Sequence, residues 1–319
     1  MTTRWIVNES TDNLIPVKTM PVTGGEVGTV LPGRWEFWRG GEDSGVRNMA
    51  IDAALLRNAA TATGPDVGVW RCYAFTRPTV SFGRNETTRG RFDRDSLDAS
   101  GLDAVRRPTG GRALLHSREV TYSVSMPLAA GLSWQVAYSA VNRLLAGSLL
   151  GLGFPVEIAG EDGGFSDGGL NDVGGRSASS AIRPNGPVCF DAPAPGEITA
   201  RGMKLVASAV WRERTAYLQH GSILLHDDQA LLAGASGGRV SVPPPAASIA
   251  DLIARGARAG RGASHETTDA DMRHEVVGAM ERALAAISVV TPFTASASMN
   301  ADITVFEKQF ASREWLWRR

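Results

Sequence analysis

The chain has 319 residues, 33 basic against 33 acidic side chains, 43% hydrophobic residues and two cysteines. That length supplies ample material for a core, while the zero net charge argues against a nucleic-acid or membrane-surface binder, whose basic footprint would show in the total. Two cysteines exclude a disulfide scaffold and a four-cysteine zinc module, and no apolar run is long enough to mark a transmembrane span.

Residues 1–32 carry Arg4, Glu9, Asp12 and Lys18 with several prolines and glycines, and have no apolar stretch of the kind a secretory signal needs. They read as a loosely ordered extension, which places the protein in the cytoplasm, and a single domain over 33–319 follows. Trp35 and Phe37, alternating with Glu36, predict a strand. Ser44 then caps a helix with Val46, Met49, Ala50, Ala53 and Ala54 on one face. The run 66–84 predicts two strands broken at Pro78, and 103–126 two or three more around a Gly-Gly break. Ser133 opens the clearest amphipathic helix, ending at Gly151 and Gly153, and the glycine-rich stretch 160–187 reads as a mobile loop. Two strands meet at Arg201-Gly202, where a tight turn needs positive φ, and a third spans 216–225. From His226 the pattern is helical, over about 227–234, 248–256 and 267–286. Strands and helices mix without βαβ alternation, which predicts an α+β fold with a mixed sheet.

Three stretches hold candidate chemistry. In RRPTGGRALLH (106–116), Gly110 and Gly111 let the backbone approach a ligand, while Arg107 and Arg112 offer planar donors to phosphate or carboxylate; the same pattern also fits an ordinary hairpin turn. Cys189 is a free cysteine fifteen positions ahead of Lys204, one of only three lysines in the chain with Lys18 and Lys308. If the chain doubles back at Gly202, the ammonium faces the thiol. A drop of about 1.5 units from a free-thiol pKa near 8.5 would make it about half ionised at pH 7. Cys72, inside a strand-like run, reads as a buried hydrophobe. In QHGSILLH (219–226), His220 can orient a substrate or a loop. The five histidines, His116 and His226 among them, show no metal spacing, so neither metal nor cofactor is expected. Arg84, Arg89, Arg91 and Arg94 are interleaved with Asp93, Asp95 and Asp98 and read as a solvated face, although they could also meet an acidic partner.

RRPTGGRALLHSREVTYSV (106–124) resembles the signature loop and following strand of the lipoate/biotin-protein ligase and octanoyltransferase superfamily. CFDAPAPGEITARGMKLVASAVWRERTAYLQHGSILL (189–225) is similar to its second signature, in the form carried by octanoyltransferases of the lipoate-ligase-like branch. GVRNMAIDAALL (45–56), PTVSFGR (78–84) and ASREWLWRR (311–319) resemble the preceding helix and strand and the terminal helix. The resemblance implies a mixed β-sheet core flanked by helices, as in the biotin/lipoate-protein ligase catalytic domain. It also implies transfer of octanoyl from octanoyl-acyl carrier protein to the lysine of a lipoyl domain, in a monomer. The acceptor would be a glycine-cleavage H protein or a 2-oxoacid dehydrogenase lipoyl domain. By the same resemblance Cys189 is the acyl-thioester nucleophile and Lys204 lowers its pKa. Arg107, Gly110, Gly111, Arg112 and His116 line the acyl and pantetheine pocket, and His220, Gly221 and Ser222 lie on the facing strand. Two stretches depart from the family pattern: Pro193-Ala194-Pro195-Gly196-Glu197 replaces Pro-Ser-x-Tyr-Glu, and Ala207-Ser208-Ala209-Val210 replaces Gly-Ser-Ala-Gln. The alternatives are an ATP-dependent lipoate ligase, which needs no Cys189 and carries an Asn-Asp pair such as Asn171-Asp172, a lipoyl amidotransferase, and a non-catalytic binder, which would lack Cys189 or Lys204.

Overall fold

The computed structural model describes residues 30–61, 67–129, 131–160, 189–190, 193–213, 215–256 and 267–319. The expected N-terminal extension and glycine-rich loop, with Lys18 and Asn171-Asp172, lie outside the described residues apart from 30–32 and 160.

β1 (Arg34–Asp43) runs further than the strand expected around Trp35 and Phe37, because it continues through a bulge between Arg39 and Glu42 beside the parallel strand β2 (Val67–Phe75). Ser44 caps α1 (Gly45–Thr61) as expected: its carbonyl accepts from the Asn48 amide at 2.9 Å and its hydroxyl from the Arg47 amide at 3.2 Å. Pro78 separates β2 from β3 (Thr79–Phe82). The short helix α2 (Arg94–Ala99) precedes β4 (Asp103–Arg106), β5 (Leu114–His116) and β6 (Glu119–Pro127). Ser133 caps α3 (Trp134–Gly151), accepting from the Val136 amide at 3.3 Å, a contact worth about 1 kcal/mol.

After β7 (Glu157–Ile158), strands β8 (Ile198–Ala200) and β9 (Met203–Glu213) meet at the expected turn, with Arg201 at φ 54 and Gly202 at φ 74. β10 (Ala216–Leu224) pairs antiparallel with both β9 and β6. The C-terminal part holds α4 (Leu231–Ala235), α5 (Ile249–Ala254), capped by Ser248, and α6 (Asp269–Ala285), closed by a Thr268/Asp271 capping box. It departs from the all-helical expectation at β11 (Val289–Pro292), which pairs parallel to β1 before α7 (Ala297–Ala311) and α8 (Arg313–Leu316).

The large sheet runs β11-β1-β2-β6-β10-β9-β8-β7, and β4-β3-β5 form a small second sheet. Parallel and antiparallel pairs mix, which is the α+β architecture expected. Alternation sorts the side chains. Trp70, Tyr122, Val124, Tyr217 and Ile223 face α3, α5 and α6 in the main core, while Val69 and Tyr73 join the cluster built on α1 and α7. The small sheet carries the loop 107–113 between β4 and β5. Arg106 fixes that sheet by donating to the Gly83, Glu86 and Leu316 carbonyls at 2.6, 2.8 and 2.9 Å, and burial pushes its pKa down to about 10. Of the interleaved arginines, Arg94 pairs with Asp98 and Arg91 with Glu86, whereas Arg84 stacks on Trp211.

One buried charge ties α1 to the sheet. Asp52 accepts from Arg71 Nη1 (3.0 Å), Tyr73 Oη (2.9 Å), Ser123 Oγ (2.8 Å) and His220 Nδ1 (3.0 Å). The Asp52 and Arg71 side chains are 0% and 1% exposed. Burial alone would raise the Asp52 pKa, but His220, Arg71 and Ser123 hold it below the ordinary carboxylate value. Asp52→Ala leaves Arg71 buried without a counter-charge. Urea unfolding is expected to show a loss of about 3–5 kcal/mol, and a loss under about 1 kcal/mol would refute this role.

Candidate active site

The loop 107–113 owes its shape to Arg107. Its guanidinium donates to the Ser81 carbonyl (2.7 Å), Ser81 Oγ (3.0 Å), the Gly110 carbonyl (3.0 and 2.8 Å) and the Arg112 carbonyl (2.8 Å). These contacts use the five N–H groups of the side chain. The expectation that Arg107 offers donors to a phosphate or carboxylate is therefore corrected: it is a strut for the loop. Gly111 packs so closely on residue 83 that a Cβ on Gly83 would lie 1.9 Å from the Gly111 carbonyl oxygen.

Behind the loop lies a cleft of about 410 Å³, counting its open mouth. Of the residues singled out from the sequence, Arg107, Gly111, His116, Cys189 and the run His220-Gly221-Ser222 line it. Gly110 and Arg112 are in the same loop but absent from the cleft wall among the described residues. Met49 and Tyr73 complete its apolar side. Gly221 is required sterically: a Cβ there would come 2.3 Å from the Ala207 carbonyl oxygen and 2.9 Å from Tyr122 Oη. The bare backbone lets that hydroxyl pass to Ser208 Oγ at 2.7 Å.

Both cleft histidines have their ring nitrogens engaged. His220 Nδ1 donates to Asp52, so Nε2 accepts from the Thr109 hydroxyl at 2.5 Å, tying the loop to the sheet. Burial, aided by the Arg107 charge, pushes His220 below its ordinary value against the pull of Asp52, so the ring is neutral at pH 7. His116 meets Glu119 Oε1 through Nδ1 (2.6 Å) and Ser81 Oγ through Nε2 (2.8 Å), with Ser222 Oγ 3.3 Å from Nδ1. Phe75 stacks on its ring at 4.2 Å. Sequence reasoning missed Asp52 and Thr109; the signal for Asp52 was an acid flanked by Met49, Ile51, Ala53 and Leu55.

Cys189 is half-buried in the cleft wall, its amide donating to the Ala113 carbonyl at 3.1 Å. Lys204 reaches it as the turn at Gly202 predicts, but Nζ bonds the Cys189 carbonyl (2.8 Å) and pairs with Glu197 Oε2 (2.8 Å). The thiol is not lowered to half ionisation. Burial raises its pKa, Lys204 and then Arg107 pull it back, and Glu197 and Glu86 push with the burial. The expected direction of the lysine's influence stands, while the net direction is reversed. Gly196 sits at φ 85, where the family pattern has a tyrosine. Tyr138 from α3 lies 3.1 Å from where a Gly196 Cβ would be, so the backbone favours glycine and any side chain here would press on that ring. Cys72 is the buried hydrophobe its strand-like run predicts, enclosed and pushed up to about 12 by burial. Among the described residues no cluster of three or more His, Cys, Asp or Glu could hold a metal ion, and no helix is long and apolar enough to cross a membrane.

Residues 44–266 match the family model for the lipoyl protein ligase A/B catalytic domain. The octanoyltransferase LipM of Kyrpidia tusciae is 39% identical over 204 residues, 62% of this chain and 69% of that protein. LipM of Macrococcus caseolyticus is 31% identical over 297 residues, 89% of this chain and 99% of its own length. Among solved structures, lipoate-protein ligase A bound with ATP superposes with a TM-score of 0.63 at 17% identity, covering 89% of this chain and 98% of that one. A bipartite lipoate protein ligase from Thermoplasma acidophilum gives 0.59 at 18% identity, covering 90% and 96%. At those identities the likeness concerns the fold.

The balance at Cys189 has a measurable sign. In wild type the pH midpoint for alkylation of Cys189 by iodoacetamide is expected above that of a free cysteine, and in Lys204→Ala higher still. A midpoint unmoved by Lys204→Ala would show that the ammonium does not act on the thiol.

Proposed function

Since this chain belongs to the lipoyl protein ligase A/B catalytic-domain family, we propose that it transfers octanoyl from octanoyl-acyl carrier protein, through a thioester on Cys189, to the lysine amine of a lipoyl-domain protein. It is an acyltransferase of lipoate biosynthesis, in keeping with octanoyltransferases that share up to 89% of its length. The observation that carries the route is Cys189 in the cleft wall with the Lys204 ammonium on its own carbonyl.

The Cys189 thiol first loses its proton to solvent; the thiolate then attacks the octanoyl carbonyl, forming a C–S bond, with the ammonium stabilising the oxyanion. Collapse breaks the bond to the carrier sulfur, which takes a proton from Lys204. The neutral acceptor amine then attacks the acyl-enzyme, its proton passes to Lys204, and the Cys189 sulfur leaves with its electron pair. A thioester is already activated, so neither step needs a nucleotide. Arg107 accords with this, since its N–H groups are committed to the loop rather than open to a phosphate. Met49, Tyr73 and Leu114 give the octanoyl chain an apolar wall, and the loop held by Arg107 meets the pantetheine arm. We read residues 33–319 as one catalytic domain, acting as a cytoplasmic monomer.

Mixing the protein with octanoyl-acyl carrier protein and no ATP is expected to add one octanoyl mass in intact-mass spectra, and Cys189→Ala should lose that adduct. No adduct in wild type, with transfer that instead demands ATP and free octanoate or lipoate, would replace this reading with the ligase.

A further inference from the structure

Glu197 is a buried acid fixed through its amide, its carbonyl and its carboxylate. Its amide donates to the Ala194 carbonyl (3.1 Å), and its own carbonyl accepts from the Ala159 amide (2.9 Å). Its Oε2 accepts from the Ala194 amide at 2.7 Å and from Lys204 Nζ at 2.8 Å. The Lys204 and Glu197 side chains are 5% and 9% exposed. Lys204 has three N–H donors. Two are spent on Glu197 and the Cys189 carbonyl, which leaves one for a reacting group among the described contacts.

The other titratable and charged groups around the thiol are otherwise occupied. His116 and His220 have both ring nitrogens in hydrogen bonds, and Arg107 is spent on carbonyls and a hydroxyl. Glu86 accepts from the Ala113 and Gly83 amides at 2.9 and 3.0 Å. Tyr138, from α3, is pushed by burial up to about 12. The Lys204–Glu197 pair is left to move protons beside Cys189.

We propose that Glu197 is a positioning residue that biases Lys204 toward keeping its proton, slowing proton donation to the departing carrier thiolate and favouring proton capture from the acceptor amine. The inference rests on the Cys189 thioester reading above. A carboxylate buried beside an ammonium is stabilised only while that partner is charged. When the Lys204 N–H bond breaks and the carrier S–H bond forms, Glu197 is left without a counter-charge. When the acceptor N–H bond breaks and the Lys204 N–H bond re-forms, the pair is restored. The same negative charge opposes ionisation of Cys189. Glu197 thus divides the work between the half-reactions, making the first slower than it could be and the second faster.

Glu197→Gln keeps the size of the side chain and an oxygen for the Ala194 amide while removing the charge. Its alkylation midpoint is expected to fall by about half a pH unit, which is about threefold more thiolate below the midpoint. Rapid-quench intact mass with octanoyl-acyl carrier protein should show Cys189 acylated at least as fast as in wild type. A chase with a lipoyl-domain protein should then show release slowed about tenfold, so that octanoyl-enzyme accumulates. Glu197→Asp, which keeps the charge, should hold the ratio of the two rates within about threefold of wild type, and supplies the test if Glu197→Gln does not fold; a tenfold fall there overturns the proposal. So does unchanged release in Glu197→Gln, or an equal slowing of both half-reactions with the midpoint moved upward, as a purely structural strut would give. A wild-type enzyme that forms no adduct on Cys189 overturns the thioester reading and this inference with it.

Discussion

A carboxylate placed where water does not reach it governs the cleft. Asp52 enters from α1 and survives burial because donors from β2, β6 and β10 converge on it. Because the groups come from four elements, none can shift without leaving another charge or hydroxyl unpaired. The constraint extends outward through His220, whose far nitrogen holds Thr109 in the loop 107–113. Helix, sheet and loop are therefore one hydrogen-bonded unit, and the apolar core on either side of the sheet has only to pack around it. Buried ion pairs are weak as net stabilisers but strict about partners, so this one serves placement more than stability.

The chemistry at Cys189 follows the same economy of charge. Two cations, Lys204 and Arg107, and two carboxylates, Glu197 and Glu86, act on one thiol, and the burial they share tips the balance toward the protonated form. A protonated resting thiol reacts slowly with stray electrophiles and oxidants, since the thiolate is the reactive species. Of the family-pattern departures, glycine at 196 leaves room for Tyr138, and Ala207 lines the cleft.

Much of this architecture was legible because it follows local rules. Ser133 and Ser44 announced their helices, Pro78 its break, and Arg201-Gly202 its turn, since each imposes a backbone geometry of its own. β11 was not legible: Val289–Pro292 is four residues, mostly exposed, with no alternation, and becomes a strand only because β1 offers an open edge. Within the site, residue types were readable and their surroundings were not. Arginine at 107 signals planar donors, but only the fold shows how many carbonyls encircle it. Likewise the spacing of Cys189 and Lys204 foretold their meeting and the sign of the lysine's pull, whereas the burial that outweighs it depends on side chains from several distant elements.

The parallel pairing of β1 with β11 has a consequence for how the chain reaches this state. Thr291 meets the Trp35 carbonyl across 256 positions of sequence, so at ribosomal rates of about 5–20 residues per second the first strand waits on the order of tens of seconds for its outer neighbour. Through that interval its outer edge presents unpaired amides and carbonyls to any strand nearby. The Gly40-Gly41 bulge bends the far end of β1 and shortens the straight template available to a wrong partner. Closure of the large sheet is thus a late, long-range event in the life of a nascent molecule, and the early chain is the stage at which chaperone binding or aggregation competes with folding.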